Sequence, residues 1–146
     1  MNKQKNTSEL NIASIQMVST PSLKENLEVA ARLTKAAAES GAKLAVLPEY
    51  FCLMGLKDTD KVNAREAVGS GPIQECLSAM AQENNIFLVA GTIPLEAKES
   101  NKVLNTSLVF DPQGKQIARY DKIHLFGFQT KTERYEESET ITAGSQ

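Results

Sequence analysis

The sequence has little of several residue types. It contains no tryptophan, one histidine and two cysteines among 146 residues. Because the cysteines form no CxxC pair and have no histidine-rich neighbourhood, no structural zinc site is expected. The formal net charge is -2 and no basic block is longer than a pair, so the chain has no electrostatic footprint for nucleic-acid binding. No apolar stretch approaches the ~20 residues of a membrane span. The composition therefore predicts a globular protein bound neither to nucleic acid nor to a membrane.

The first residues are polar and lack the apolar core of a signal peptide. We therefore expect a reduced, cytoplasmic setting in which the two cysteines stay unpaired. Residues 1–8 are predicted to form a disordered tail. The full sequence is 41% apolar and contains no internal linker, which predicts that residues 9–146 form one domain.

The periodicity of residues 10–47 predicts a β-α-β unit. Residues 10–18 alternate as a strand does, and residues 43–47 form an apolar run typical of a buried strand. Between them, apolar residues recur at helical spacing from Leu23 to Ala37. Ser22 and Glu25 form a capping-box pattern at the start of that helix. This order of elements predicts an α/β fold with a buried sheet.

Further elements follow the same reasoning. We predict helices over residues 60–68 and from Pro72 onward, and a buried strand over residues 86–91. Residues 103–110 and 115–120 flank the turn sequence DPQG and predict two paired strands. Residues 95–101 are polar and predict a loop, and the charged stretch between Phe128 and Ile141 predicts irregular structure.

Two segments place charged residues at the ends of predicted strands. In residues 43–50, KLAVLPEY, an apolar strand stops at a proline and delivers the carboxylate of Glu49. In residues 120–127, YDKIHLFG, Lys122 lies between a strand and an apolar loop. A charge in such a place is costly unless it is paired or used. Either residue alone is more often an ordinary surface charge, but together they predict a general base and an electrostatic stabiliser.

These two motifs resemble the nitrilase superfamily of carbon–nitrogen hydrolases, which work with a Glu, a Lys and a Cys. The resemblance assigns the Glu to Glu49 and the Lys to Lys122, and it places a second family carboxylate best on Glu137, among several neighbouring glutamates. The form KIHLF is similar to the branch of omega-amidases and amidases of deaminated glutathione. The resemblance implies part of a four-layer α-β-β-α sandwich, truncated before the strand that carries the nucleophile. It also implies homo-oligomers and no metal or organic cofactor.

The residues around Glu49 leave alternatives open. Tyr50, Phe51 and Met54 are candidates for lining a substrate pocket, and plain packing under a loop explains them equally well. Cys52 has apolar neighbours and is predicted to be a buried packing residue rather than a nucleophile. If the assignment is right, Glu49 and Lys122 should lie roughly 3–6 Å apart at one end of a sheet.

Two functions therefore remain possible. The first is a fragment of an amidase for small amides, inactive alone because it lacks the catalytic Cys, either as a truncated product or as one half of a split enzyme. The second is a non-catalytic remnant that acts as a binding module.

Overall fold

The computed structural model describes residues 9–145, so the predicted tail over residues 1–8 lies outside the described residues. Within residues 9–145 the chain forms the following elements: β1 Ile12–Ser14, α1 Leu23–Glu39, β2 Leu44–Val46, α2 Asp60–Asn63, α3 Pro72–Asn84, β3 Phe87–Val89, β4 Ile93–Glu96, β5 Val103–Phe110, β6 Gln116–Asp121, β7 Gly127–Gln129, β8 Arg134–Glu136 and the 3-10 turn Glu137–Glu139. The predicted α/β class is confirmed. The predicted strands and first helix are present; β1, β2 and β3 are shorter than predicted, β5 has the predicted bounds, and β6 is shifted by one residue.

The strands in the first half of the chain pair in parallel. β1 pairs with β2, and β2 pairs with β3, so the sheet grows in one direction with α1 and α3 as the crossovers. Crossovers of the usual right hand that advance in one direction lie on the same face of the sheet. α1 and α3 accordingly pack against each other and against the sheet.

The predicted capping box at α1 is half formed. The Ser22 hydroxyl accepts the backbone N–H of Glu25 at 3.4 Å. The Glu25 carboxylate does not return to Ser22; it accepts the Thr20 hydroxyl at 3.3 Å, and Thr20 also takes the Ser22 N–H. Thr20 therefore replaces the reciprocal bond that the pattern predicts.

In the second half of the chain the strands of this sheet pair antiparallel, and β5 is the strand with which the others pair. β3 and β4 pair with successive parts of one edge of β5, and β6 pairs with the other edge. The loop predicted over residues 95–101 is wrong at its start, because Leu95 and Glu96 belong to β4. The chain bends between β3 and β4 at Gly91, whose φ is +50°. Because of this bend, the apolar strands β3 and β4 can follow one another along the same edge of β5.

The irregular structure predicted between Phe128 and Ile141 is also wrong. β7 and β8 form an antiparallel hairpin with Phe128 opposite Tyr135. Phe126 joins these two rings, with centroid separations of 6.0 to 6.3 Å. Each strand has three residues and one aromatic, which is too short for alternation to be visible in the sequence.

The hydrophobic core lies between the sheet and its two helices. It includes Ala45, Leu77, Leu88 and Leu108, all fully buried. On the opposite face of the sheet, Ile12, Phe87 and Tyr120 remain exposed. Residues 9–145 therefore supply a six-stranded sheet with helices on one face and a separate two-stranded hairpin, and the second face of the larger sheet is open at these three positions. No helix among them is long and apolar enough to cross a membrane.

A buried carboxylate fixes the start of α3. Glu66 accepts the backbone N–H groups of Ile73 at 2.5 Å and Gln74 at 3.1 Å, and its own backbone pairs with β4. These bonds explain why α2 ends at Asn63 rather than near residue 68, since Glu66 leaves the helical path to join β4. Anionic groups are stabilised by the free N–H groups of a helix N-terminus.

We therefore expect Glu66→Ala to lower the free energy of unfolding by about 2–3 kcal/mol, since buried hydrogen bonds to a charge are lost. Glu75→Ala is the matched control, because Glu75 is an exposed carboxylate in the first turn of the same helix. It should change stability by less than about 1 kcal/mol. Urea unfolding of both variants checks this, and equal losses would contradict the capping role.

Candidate functional site

The structure brings the three charged residues of the sequence motifs together. The Lys122 ammonium lies 3.2 Å from Oε1 of Glu49 and 3.0 Å from Oε2 of Glu137. Glu49 and Lys122 are 73 positions apart in the sequence. Their separation falls in the expected range, so the predicted convergence is confirmed.

Glu49 is delivered by the end of β2. The strand continues through Leu47, whose N–H bonds to Val89 at 2.9 Å, and then stops at Pro48. Gly91 lies directly against the Pro48 carbonyl, where a Cβ would collide with the oxygen. The Glu49 side chain is 49% exposed, and its Oε1 also accepts the side-chain amide of Asn105 at 2.8 Å.

Lys122 directly follows β6. Its N–H bonds to the Asn105 carbonyl, and its carbonyl accepts the N–H of Gly144, both at 2.9 Å. Partial burial disfavours the charged amine, but hydrogen bonds and charges from Glu137 and Glu49 outweigh it. The pKa of Lys122 is therefore raised above its ordinary value. Lys122 is thus held as an ammonium.

Glu137 is the most enclosed member of the cluster, with a side chain 5% exposed. Its carboxylate accepts the Phe126 N–H at 2.7 Å and the Tyr50 hydroxyl at 3.4 Å, besides contacting Lys122. The neighbouring Glu139 is 66% exposed and lies 3.9 Å from Arg134. Among the glutamates of this segment, Glu137 is the one that the structure places against Lys122.

Tyr50 has a backbone conformation that is uncommon for a side-chain-bearing residue. Its φ is +54°, and its N–H bonds to the Thr92 hydroxyl at 3.0 Å. Burial and the nearby Glu137 raise the pKa of the Tyr50 phenol far above its ordinary value. The ammonium of Lys61 lies 5.6 Å from the Tyr50 ring centre. Strain of this kind is common at functional sites.

The other two candidate pocket residues differ from each other. Phe51 is fully buried in the core, so its side chain occupies a packing position. Met54 is 52% exposed and lines a cavity of about 90 Å³ together with Tyr50, Lys61 and Tyr135. Tyr50 and Met54 therefore border an opening that is connected to the cluster through the Tyr50–Glu137 hydrogen bond, and Phe51 does not.

Neither cysteine has the surroundings of a nucleophile. Cys52 is buried, and burial raises the pKa of its thiol to about 12. Cys76 packs against the core between α1 and α3, and burial raises the pKa of its thiol as well. Within residues 9–145 neither thiol hydrogen-bonds to Glu49 or Lys122. The predicted packing role of Cys52 is confirmed.

Sequence reasoning missed Asn105 and Thr92. Asn105 is a polar residue within the buried strand β5, and that position was the available signal. Thr92 follows Gly91 at the bend, and nothing in the sequence distinguished its hydroxyl from that of an ordinary loop residue.

The sequence matches proteins of a known family. Residues 11–146 match the carbon-nitrogen hydrolase family. The chain belongs to this family. It is 37% identical over 134 residues to a deaminated glutathione amidase of Synechocystis sp., and 37% identical over 131 residues to the omega-amidase NIT2 of Xenopus tropicalis. These matches cover 90% and 89% of the chain but 48% and 46% of the relatives, so the chain spans about half their length.

Solved structures show the same fold. Saccharomyces cerevisiae Nit3, of branch 10 of the nitrilase superfamily, aligns with a TM-score of 0.78 and 30% identity over 94% of this carbon-nitrogen hydrolase chain and 49% of Nit3. The Caenorhabditis elegans NitFhit protein aligns with a TM-score of 0.77 and 29% identity over 92% of the chain and 33% of NitFhit. The predicted superfamily and fold class are therefore confirmed.

The contact between Gly91 and Pro48 can be tested directly. Gly91→Ala should lower the free energy of unfolding by about 3 kcal/mol or more, because left-handed strain adds to a collision with the backbone that delivers Glu49. Gly69→Ala is the matched control, since Gly69 also has positive φ but has no atom within 4 Å of the place that a Cβ would take. It should cost about 1–2 kcal/mol. Equal losses in urea unfolding would contradict a role for the Pro48 contact.

The charge on Glu137 should control the reactivity of Lys122. In Glu137→Gln the pKa of Lys122 should fall, because the ammonium loses the charge of its most enclosed partner. The neutral, reactive amine is then more abundant at a given pH, and competitive acetylation read by mass spectrometry should label Lys122 severalfold faster. Glu139→Gln removes an exposed charge two residues away and should leave the rate unchanged. Equal rates in both variants would refute this coupling.

Proposed function

We propose that this chain supplies the Glu–Lys–Glu part of an amidase site for small amides and does not hydrolyse amides by itself. The supporting observation is the cluster of Glu49, Lys122 and Glu137, in which one ammonium contacts two carboxylates. A thiol next to that cluster is missing from the described residues. The nucleophile would therefore come from a polypeptide corresponding to the rest of the relatives' length.

The reaction assigns a distinct task to each group. A cysteine thiol from the completing segment would transfer its proton to Glu49 and attack the amide carbon, and the charge on the resulting oxyanion would be stabilised by Lys122. Glu49 would then protonate the leaving ammonia, giving an acyl-enzyme. Finally, Glu49 would take a proton from water as its oxygen attacks the thioester carbon, and as the C–S bond breaks Glu49 would return that proton to the sulfur, which releases the acid and the thiol. Glu137 would hold Lys122 in place throughout.

The carboxylate and ammonium have suitable environments for these tasks. Glu49 is half-exposed and uses only Oε1 in its bonds to other residues within 9–145, so Oε2 is open for proton transfer. Lys122 has a raised pKa and remains charged. Tyr50 and Met54 border the adjacent cavity and are proposed to contact the acyl group of the substrate. A cytoplasmic location and homo-oligomeric assembly remain predictions.

A second candidate function is a non-catalytic module that binds another polypeptide. The open face of the sheet favours it, since Ile12, Phe87 and Tyr120 expose apolar and aromatic surface there. Large exposed apolar patches mark interaction sites. Both candidates require a partner, but only the amidase requires the charged cluster.

Co-expression distinguishes the two functions. The chain would be produced alone, and together with the segment of the Synechocystis relative that follows the matched region. Ammonia release from monoamides of small dicarboxylic acids is then measured. We expect no turnover by the chain alone and turnover by the pair, with a loss of about 10²-fold or more in Glu49→Gln and in Lys122→Met.

Cys52→Ser is the control, and the pair carrying it should keep its activity because Cys52 is a packing residue. Turnover by the chain alone that disappears in Cys52→Ser would show that the nucleophile lies within this chain. A pair that associates tightly but is inactive would support the binding module instead.

A further inference from the structure

Asn105 is a buried polar residue in a strand that is otherwise mostly apolar. It lies in β5 opposite Pro94 of β4, and it is 2% exposed. Burying an amide costs free energy unless it is hydrogen-bonded. Its Oδ1 is buried and has no partner within residues 9–145, so the amide is not fully compensated by the fold. A residue of this kind calls for a reason beyond packing.

Asn105 contacts both oppositely charged residues proposed to act in the reaction. Its side-chain amide donates to Oε1 of Glu49 at 2.8 Å, and its backbone carbonyl accepts the N–H of Lys122 at 2.9 Å. The second bond continues the ladder between β5 and β6. Glu49 and Lys122 both lie just beyond strand ends, whereas Asn105 lies inside a strand that is paired on both edges. Asn105 is therefore the residue of the sheet that holds both Glu49 and Lys122 in place.

The contact of Glu49 with Lys122 restricts the orientation of the carboxylate less than the bond from Asn105 does. A lysine ammonium is a compact point charge that binds a carboxylate at many angles, whereas a planar amide directs its N–H along a defined line. Because the Glu49 side chain is 49% exposed, the surrounding packing restricts its rotation only in part. Asn105 supplies the directional bond.

We propose that Asn105 is a positioning residue, whose amide holds Oε1 of Glu49 against Lys122 and thereby turns Oε2 toward the reacting atoms. This inference rests on the proposed function. Asn105 contacts no substrate and acts only through Glu49. A purely structural Asn105 would instead contribute packing and stability without affecting the contact between Glu49 and Lys122.

The reactivity of Lys122 tests the positioning without requiring any enzymatic activity. Competitive acetylation of the 146-residue chain is compared among wild type, Asn105→Leu and Glu49→Gln. Leucine keeps the branched shape and the number of side-chain heavy atoms of asparagine and removes the donor. With Glu49 released, Lys122 loses one of its two anionic partners, so Asn105→Leu should raise labelling of Lys122 severalfold, toward the value of Glu49→Gln.

A control variant and an internal control residue separate this effect from a general loosening of the fold. Leu108→Ala removes a buried side chain from the same strand and should lower stability without changing the labelling of Lys122. Lys61, whose side chain is 13% exposed, reports opening of the structure within each sample. Labelling of Lys122 that rises only in proportion to that of Lys61 would overturn the proposal.

Two further results would also overturn it. If Glu49→Gln raises labelling of Lys122 and Asn105→Leu does not, the positioning role is wrong while the proposed function stands. If Glu49→Gln itself has no effect, the contact between Glu49 and Lys122 is absent in solution, and both proposals fail.

The chain co-expressed with the completing segment of the Synechocystis relative allows a kinetic test. A misplaced base lowers the rate of the chemical step, so Asn105→Leu should reduce kcat by about 10²-fold with KM changed by less than about twofold. Leu108→Ala should keep kcat close to that of the wild type. A kcat for Asn105→Leu equal to that of Leu108→Ala would contradict the positioning role.

Discussion

The buried negative charge of Glu137 is the constraint on which the site depends. A carboxylate that is 5% exposed is costly unless hydrogen bonds and an opposite charge compensate it. The compensation comes from three separate segments, through the Phe126 N–H, the Tyr50 hydroxyl and the Lys122 ammonium. Satisfying this one group therefore joins the loop after β2, the end of β6 and the loop before β7.

The two carboxylates of the cluster have different environments. Two carboxylates and one ammonium leave the cluster with a net negative formal charge. Glu137 is enclosed and takes several donors, so its charge is well stabilised where it is. Glu49 is half-exposed and keeps one oxygen open. Of the two, Glu49 is the carboxylate with a free oxygen, which is the reason for proposing it as the base, and Lys122 stays charged because it contacts both.

Part of the fold and of the charged cluster could be predicted from the sequence, and the remaining features could not, for physical reasons. Glu49 and Lys122 were visible because each follows a strand within a recognisable motif. Glu137 was selected only by the family resemblance, because composition does not separate it from its neighbouring glutamates and burial is what distinguishes it. The hairpin of β7 and β8 was missed because three-residue strands are too short to show alternation. Asn105 was missed because its role comes from a contact between residues 56 positions apart.

One strand explains how such distant residues reach the same place. β5 holds Glu49 through the Asn105 side chain and Lys122 through the Asn105 carbonyl. At its first residue, Val103 bonds to Thr140 at 2.9 Å and to Thr142 at 2.8 Å, which anchors the segment after Glu137. Loss of these bonds of Val103 and Asn105 would therefore affect all three charged residues, whereas damage to any one loop affects the residue on that loop. It follows that the geometry of the cluster is set by the pairing of β5 and only secondarily by the loops that carry the charges.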